Sequence, residues 1–409
     1  MGDRKLGPVD EEERLRQLVL RHERWRARDA LNLLPSENFA SPRVLRYLGT
    51  DLARRYTLPL HESAHGEPVD NGYAGTRYSD EIEALASRKA AELLHGTHAS
   101  VRPLSGHIAA MSVLAPLLPP GSTYMAIQPA DGGYDGYAPG FLPAVLGHRV
   151  LPLPLQGPMH RLDPAEVVPL LRRDRPRAVV LGQSFFLLPY PLAPVVEAAH
   201  EVDALVLYDA SHVLGLIMGG EFQRPLDEGV DVVFGSTHKS FFGPQGGLLA
   251  TRRKDLFEQI DQALIWRIVD NTHLNRIAAL AQALLEMERE GPTYARQVIR
   301  NTQALARALD GEGFPMIGRE EGYTRSHQAF FDGAAMKAQL GVGPAGLARR
   351  LEHDDLLLDL VGRVGAAELT RLGFQEEEMS RVASLMTRSL RGDRTVRKEV
   401  HALRHRFRR

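Results

Sequence analysis

The sequence predicts an α/β protein on a mostly parallel sheet, with an amino-terminal arm and a smaller carboxy-terminal α+β lobe. Three observations carry this reading. From about residue 80 to 280, helical patterns alternate with short apolar runs at 122–127, 177–181, 204–208, 231–234 and 247–250. That alternation builds a parallel sheet with crossover helices. The runs are continuously apolar, as strands covered on both faces are. A chain of 409 residues with 44% hydrophobic content fills more than one ordinary core, which suits two lobes.

The elements follow in order. Residues 1–40 are expected to form an arm, with a charged amphipathic helix over 10–30. Residues 41–285 are expected to form the large domain and 286–409 the small one. The strongly helical stretch from about 271 to 309 could bridge the lobes. Residues 59–70 look like an insertion. There are no internal repeats and no low-complexity tract.

Composition narrows the function. The formal net charge of −1 gives no general reason for a nucleic-acid partner or an anionic membrane surface. The basic tail at 396–409 reads as a solvated terminal helix. The absence of cysteine excludes disulfides, thiolate metal sites and a catalytic thiol. No apolar stretch is long enough to span a bilayer. The start runs into the charged stretch 11–28 instead of a signal-peptide core, so the expected location is cytoplasmic.

Lys239 is the most informative residue. Only 6 of the 50 basic residues are lysine. This one sits in Phe234-Gly-Ser-Thr-His-Lys-Ser-Phe-Phe-Gly-Pro-Gln-Gly-Gly247, after an apolar run. A desolvated amine at a strand end suits Schiff-base chemistry, because burial lowers its pKa and keeps it nucleophilic. Upstream lies Ala204-Leu-Val-Leu-Tyr-Asp-Ala-Ser-His212, with Asp209 at the carboxyl end of a buried strand, where open α/β sheets place ligands. Alone, Asp209 could as well cap a helix, and His212 could be a packed core histidine. Together with Lys239 they suit pyridoxal phosphate: Asp209 on the ring nitrogen, Lys239 on the aldehyde, His212 beside the ring.

These segments resemble serine hydroxymethyltransferase, a fold-type I pyridoxal-phosphate enzyme, and the likeness runs from about residue 30 to 380. Leu34-Pro-Ser-Glu-Asn-Phe39 resembles the family's SENF segment, and Asn71-Gly-Tyr-Ala-Gly-Thr-Arg-Tyr78 its GYPGxRY loop. Pro103-Leu-Ser-Gly106 resembles its phosphate-cradling turn. Gly322-Tyr-Thr-Arg-Ser-His-Gln328 and the stretch 362–373 resemble its carboxy-terminal substrate segments. The Gly-Ser-Thr-His-Lys motif and Asn271-Thr-His273 are similar to the archaeal-type branch.

The resemblance implies a seven-stranded-type sheet and a homodimer with shared active sites. It implies that Lys239 carries the cofactor covalently. Ser105 and Gly106 would bind the phosphate at a helix start, with Ser184, Ser236, Thr237 and His238 around the cofactor. Asn271 and Thr272 would reach across the dimer. Arg363 would grip the substrate carboxylate as a bidentate fork, supported by Ser36, Tyr56 and Tyr78.

The sequence also departs from the family's pattern. Where the family stacks a histidine on the cofactor ring, the run Ala130-Asp-Gly-Gly-Tyr-Asp-Gly-Tyr137 offers Tyr134, and any aromatic face can serve. The phosphate turn continues His107-Ile108 instead of Ser-Gln. Asn71 stands at the family's glutamate, which serves folate-dependent transfer, and Ser79 replaces a tyrosine. Tetrahydrofolate use is therefore left open, and His61, Glu62, His65, Glu67 or His212 becomes the candidate base for a β-hydroxyl.

One motif misleads. His61-Glu-Ser-Ala-His65 matches the zinc-protease pattern literally, but that chemistry needs both histidines on one stable helix and a third ligand, for which Glu81 or Glu83 would have to serve. Pro59 precedes the motif and Gly66-Glu-Pro68 ends it, so a polar loop without metal is expected. The activity expected is making or breaking the Cα–Cβ bond of a β-hydroxy-α-amino acid, as in serine–glycine hydroxymethyl transfer. The alternatives are a folate-independent threonine aldolase, transaldolase or oxidative decarboxylase, and a non-enzymatic scaffold on the same fold.

Overall fold

All five apolar runs become strands of one seven-stranded sheet in the computed structural model, which describes residues 8–60 and 62–407. Across the sheet the order is His98–Ser100, Gly247–Thr251, Val232–Ser236, Leu205–Asp209, Ala178–Leu181, Thr123–Ala126 and Arg149–Pro152. Only Gly247–Thr251 runs against its neighbours; the other pairings are parallel. The two strands that hydrophobic pattern did not offer lie at the edges. His98–Ser100 has three residues, and Arg149–Pro152 ends in proline and stays largely uncovered.

The period of two explains how the strands are buried on both sides. Val206 and Tyr208 enter one core with Val233, while Leu207 enters the opposite core with Val232 and Phe234. Helices Gly106–Leu117 and Lys254–Ala263 cover the latter face. Helices Arg77–Leu93, Leu192–His200 and the first half of Leu274–Gly311 cover the former.

That last helix continues unbroken through Pro292 and carries Leu305 and Leu309 into a separate core at the carboxy-terminal end. This second core also takes Leu31 and Leu33, because strand Leu31–Asn32 pairs in parallel with Leu356–Leu357. An antiparallel pair, Gln328–Phe330 with Arg363–Gly365, lies beside it. Ahead of Leu31, helix Pro8–Glu23 widens into the turns of Arg24–Asp29, where Trp25 Nε1 donates to Asp355 Oδ1 at 2.7 Å.

Residues 62–68 fold back on themselves as a short hairpin: Glu62 bridges Pro68, and Ser63 N–H donates to Glu67 O at 2.8 Å. The i, i+4 geometry of a zinc helix is thereby absent; His61 lies outside the described residues. Glu83 is committed to Arg102 at 2.5 Å. Among the described residues no three metal-ligating groups cluster, and no helix is long and apolar enough to cross a membrane.

Candidate active site

Strand ends and one helix start converge on a cavity of about 250 Å³. Asp209 closes the central strand Leu205–Asp209. Its Oδ1 accepts from Ser211 N–H at 2.9 Å, and its Oδ2 accepts from the Tyr137 hydroxyl at 2.7 Å. A Cβ at Gly182 would lie 2.4 Å from Asp209 Cβ, so the neighbouring strand end must be glycine to let the carboxylate stand there.

Lys239 follows the next strand, three residues past Ser236, and shares the cavity with Asp209. Burial pushes its ammonium down to about 8; the Asp209 charge opposes that and the Arg363 charge adds to it. His238 beside it is lowered to about 4, by burial first and then by Lys239. His212 also faces the cavity. Burial, followed by the charges of Lys239 and Arg363, holds it well below the ordinary imidazole range, so it is neutral.

The helix Gly106–Leu117 starts at the opposite wall. Ser105 caps it, its Oγ accepting from Ile108 N–H at 3.1 Å. Among the described residues the N–H groups of Gly106 and His107 have no protein acceptor, and helix starts in this condition favour anions. Ser236 Oγ is buried nearby without a partner among the described residues. A Cβ at Gly106 would lie 2.8 Å from Ser236 Cβ and fill the cradle.

Tyr134 lines the cavity, and its hydroxyl meets His107 Nδ1 at 2.9 Å. Ser184 lines it as well, and its carbonyl accepts from Arg363 Nη1 at 2.8 Å. Arg363 Nε donates to Asp359 Oδ2 at 2.6 Å, and the guanidinium lies over the Phe185 ring. Nη2 carries no hydrogen bond among the described residues.

Other expected residues lie elsewhere in this chain. Thr237 turns away, because its hydroxyl is taken by Pro244 O at 2.6 Å inside the Gly-rich loop. Thr272 is buried behind Arg102, whose carbonyl accepts its hydroxyl at 3.3 Å, and Asn271 is exposed. Tyr56 bonds Asp270 Oδ2 at 3.0 Å, and Tyr78 is 69% exposed. Ser36 is half-buried and follows Pro35, whose carbonyl accepts from His327 Nε2 at 3.0 Å. Glu62, His65 and Glu67 are exposed on the hairpin and do not line the cavity.

Three residues were not singled out from sequence. Tyr137 holds Asp209. Gln183 lines the cavity and accepts from the Tyr190 hydroxyl at 3.0 Å. His327 stacks beside His212 with ring centroids 5.5 Å apart. Tyr137 and His327 sit inside segments that stood out as motifs; Gln183 had only its place after an apolar run as a signal.

A model of the serine hydroxymethyltransferase family matches residues 9–337. The chain belongs to the serine hydroxymethyltransferase family. It is 39% identical to the serine hydroxymethyltransferase of Methanopyrus kandleri, covering 95% of this chain and 92% of that one. It is 37% identical to that of Archaeoglobus fulgidus, covering 93% and 88%. Among solved structures, the L-threonine transaldolase of Pseudomonas fluorescens superposes with a TM-score of 0.86 at 25% identity, covering 98% of this chain and 92% of that one.

Membership makes this a pyridoxal-phosphate enzyme of the hydroxymethyltransferase and aldolase type, with the fold-type I architecture. The cavity fits that group on its own evidence. The unpartnered Ser236 hydroxyl, the free N–H groups of the helix start and the cradle kept clear by Gly106 suit a phosphate. Asp209 and Lys239 suit the two reactive ends of the ring.

Proposed function

We propose that this enzyme makes or breaks the Cα–Cβ bond of a β-hydroxy-α-amino acid. The observation that supports it best is the meeting of Lys239, Asp209 and the Ser105 helix start in one cavity, with His212 facing the same space. Lys239 would hold pyridoxal phosphate covalently, and that group, when bound, would supply the electron sink such a bond cleavage needs. Asp209, its two oxygens held by Tyr137 and Ser211, would keep the ring nitrogen protonated. Tyr134, which lines the cavity, would take the ring face. Arg363 offers Nη2 to the substrate carboxylate while Asp359 and Ser184 O fix the rest of its fork. That clamp would fix the orientation of the amino acid in the cavity and so select which bond at Cα reacts. Neutral His212 can take the proton from the β-hydroxyl oxygen.

The first reading is serine–glycine hydroxymethyl transfer. A second, folate-independent aldol or transaldol reaction, is favoured by Asn71. At the position of the family's glutamate, its Oδ1 accepts from Leu58 and Tyr73 N–H, and its Nδ2 donates to Thr57 Oγ1 at 2.6 Å. This residue closes a loop instead of offering an acid.

The enzyme is proposed to work as a homodimer with shared sites. Tyr73, Tyr78 and Trp266 are 49%, 69% and 61% exposed, and Asn271 lies outside the cavity of its own chain. Light scattering that gives a monomer at assay concentration removes that part.

The deciding experiment incubates the loaded enzyme with serine, threonine or glycine, with and without tetrahydrofolate, and measures amino-acid products. Serine turnover that requires tetrahydrofolate supports the first reading. Release of glycine and aldehyde without it supports the second. No Cα–Cβ cleavage with any of these refutes both.

A further inference from the structure

We infer that His107 and Tyr134 work as one unit, in which the imidazole is a positioning residue that holds the Tyr134 ring against the cofactor. The inference rests on the function proposed above, since the ring to be held is the cofactor's.

Both residues stand where the sequence departs from the family's pattern, and the fold joins them. Tyr134 Oη and His107 Nδ1 are 2.9 Å apart, with the ring planes at 75°. On its other side Tyr134 meets Tyr137 edge-on, with centroids 5.5 Å apart. Tyr137 in turn holds Asp209. A continuous line of contacts thus runs from the first turn of the helix Gly106–Leu117 to the carboxylate at the end of the central strand.

The backbone enforces this placement. A Cβ at Gly136 would lie 2.3 Å from Tyr134 Cε1, and one at Gly133 would lie 2.0 Å from Ile127 O. The two glycines let the Tyr134 ring lie over its own turn, where among the described residues only His107 bonds its hydroxyl. Burial, with Asp209 and Asp135 behind it, raises the phenol's pKa, so the hydroxyl keeps its proton and stays available for the 2.9 Å bond to the imidazole.

The test measures the dissociation constant of pyridoxal phosphate, together with the visible circular dichroism of the bound cofactor, in the absence of substrate. The chains compared are the wild type, His107→Ala, His107→Asn, Tyr134→Phe and the His107→Ala/Tyr134→Phe double variant. Loss of one neutral hydrogen bond predicts weakening of about 3- to 10-fold in His107→Ala and in Tyr134→Phe, with a reduced circular dichroism band. The double variant should be no weaker than either single one, because the same bond is lost once. His107→Asn, which keeps an acceptor near Nδ1, should return towards wild type. Wild-type affinity in Tyr134→Phe, or losses that add in the double variant, would overturn the unit while leaving the proposed function standing. A wild-type chain that binds no pyridoxal phosphate would overturn both.

Discussion

The hydroxyl of Tyr137 donates to Asp209 Oδ2 at 2.7 Å from a wholly buried position. Ser211 N–H holds the other oxygen at 2.9 Å, so the carboxylate cannot rotate away from the cavity. Tyr137→Phe removes one donor from a charged acceptor. The expected loss is about 1.5–3 kcal/mol of stability in denaturant unfolding, with turnover reduced as well.

Asp209→Asn separates fold from chemistry. The amide oxygen still accepts from Ser211, and the Tyr137 hydroxyl can accept from the amide nitrogen, so unfolding should change little. An amide cannot keep a ring nitrogen protonated, and turnover should fall by about 100-fold or more. Near-normal turnover argues against the ring-nitrogen role.

Lys239 should load cofactor with a characteristic pH dependence. Its pKa is lowered to about 8 by burial, so the neutral, nucleophilic amine grows as pH rises through 8. The rate of pyridoxal-phosphate loading into stripped protein should climb below pH 8 and level off above it. An ordinary lysine would keep climbing towards about pH 10.4. Lys239→Ala should lose the yellow colour and turnover together; a coloured, active variant refutes the assignment.

Arg363→Lys keeps the charge and loses the fork. With Nε given to Asp359 and Nη1 to Ser184 O, a lysine cannot hold those partners and the substrate at once. Steady-state kinetics should show KM for the amino acid raised by about tenfold or more. An unchanged KM places the clamp elsewhere.

Excising residues 60–69 should spare the fold, because the loop closes through Gly72 N–H to Leu58 O at 2.8 Å and through Asn71. The melting temperature should hold while the preference among acceptor aldehydes changes. Untouched preference means that the hairpin does not face a site.

Much of this was legible in the sequence where one residue type decides the outcome. Lys239, Asp209 and Ser105 were readable because strand ends and a helix start allow few positions for such groups. Edge strands were not, since His98-Ala-Ser100 carries no apolar run. The motif around Lys239 suggests Thr237 as a cofactor contact; in the folded Gly-rich loop its hydroxyl donates to Pro244 O. Tyr137, Gln183 and His327 escaped notice because their importance lies in a direction of approach that only the folded turns create. Tyr134 and His107 were each visible, and their bond was not.

Leu31 and Leu33 share one core with residues between 305 and 403, more than 270 positions further along the chain. Arg404 Nη2 reaches back to the carbonyl of Ala27 at 2.6 Å. This second core therefore cannot close until the segment around Leu403 has been synthesised, and Leu31 and Leu33 must wait in the open while the central sheet forms. Contacts of such long sequence separation are slow to make, and the exposed leucines are a natural place for a chaperone to bind. Trimming the amino terminus past residue 30 would take out part of an interior, and the loss should show first as failed assembly in the cell and only then as a defect in chemistry.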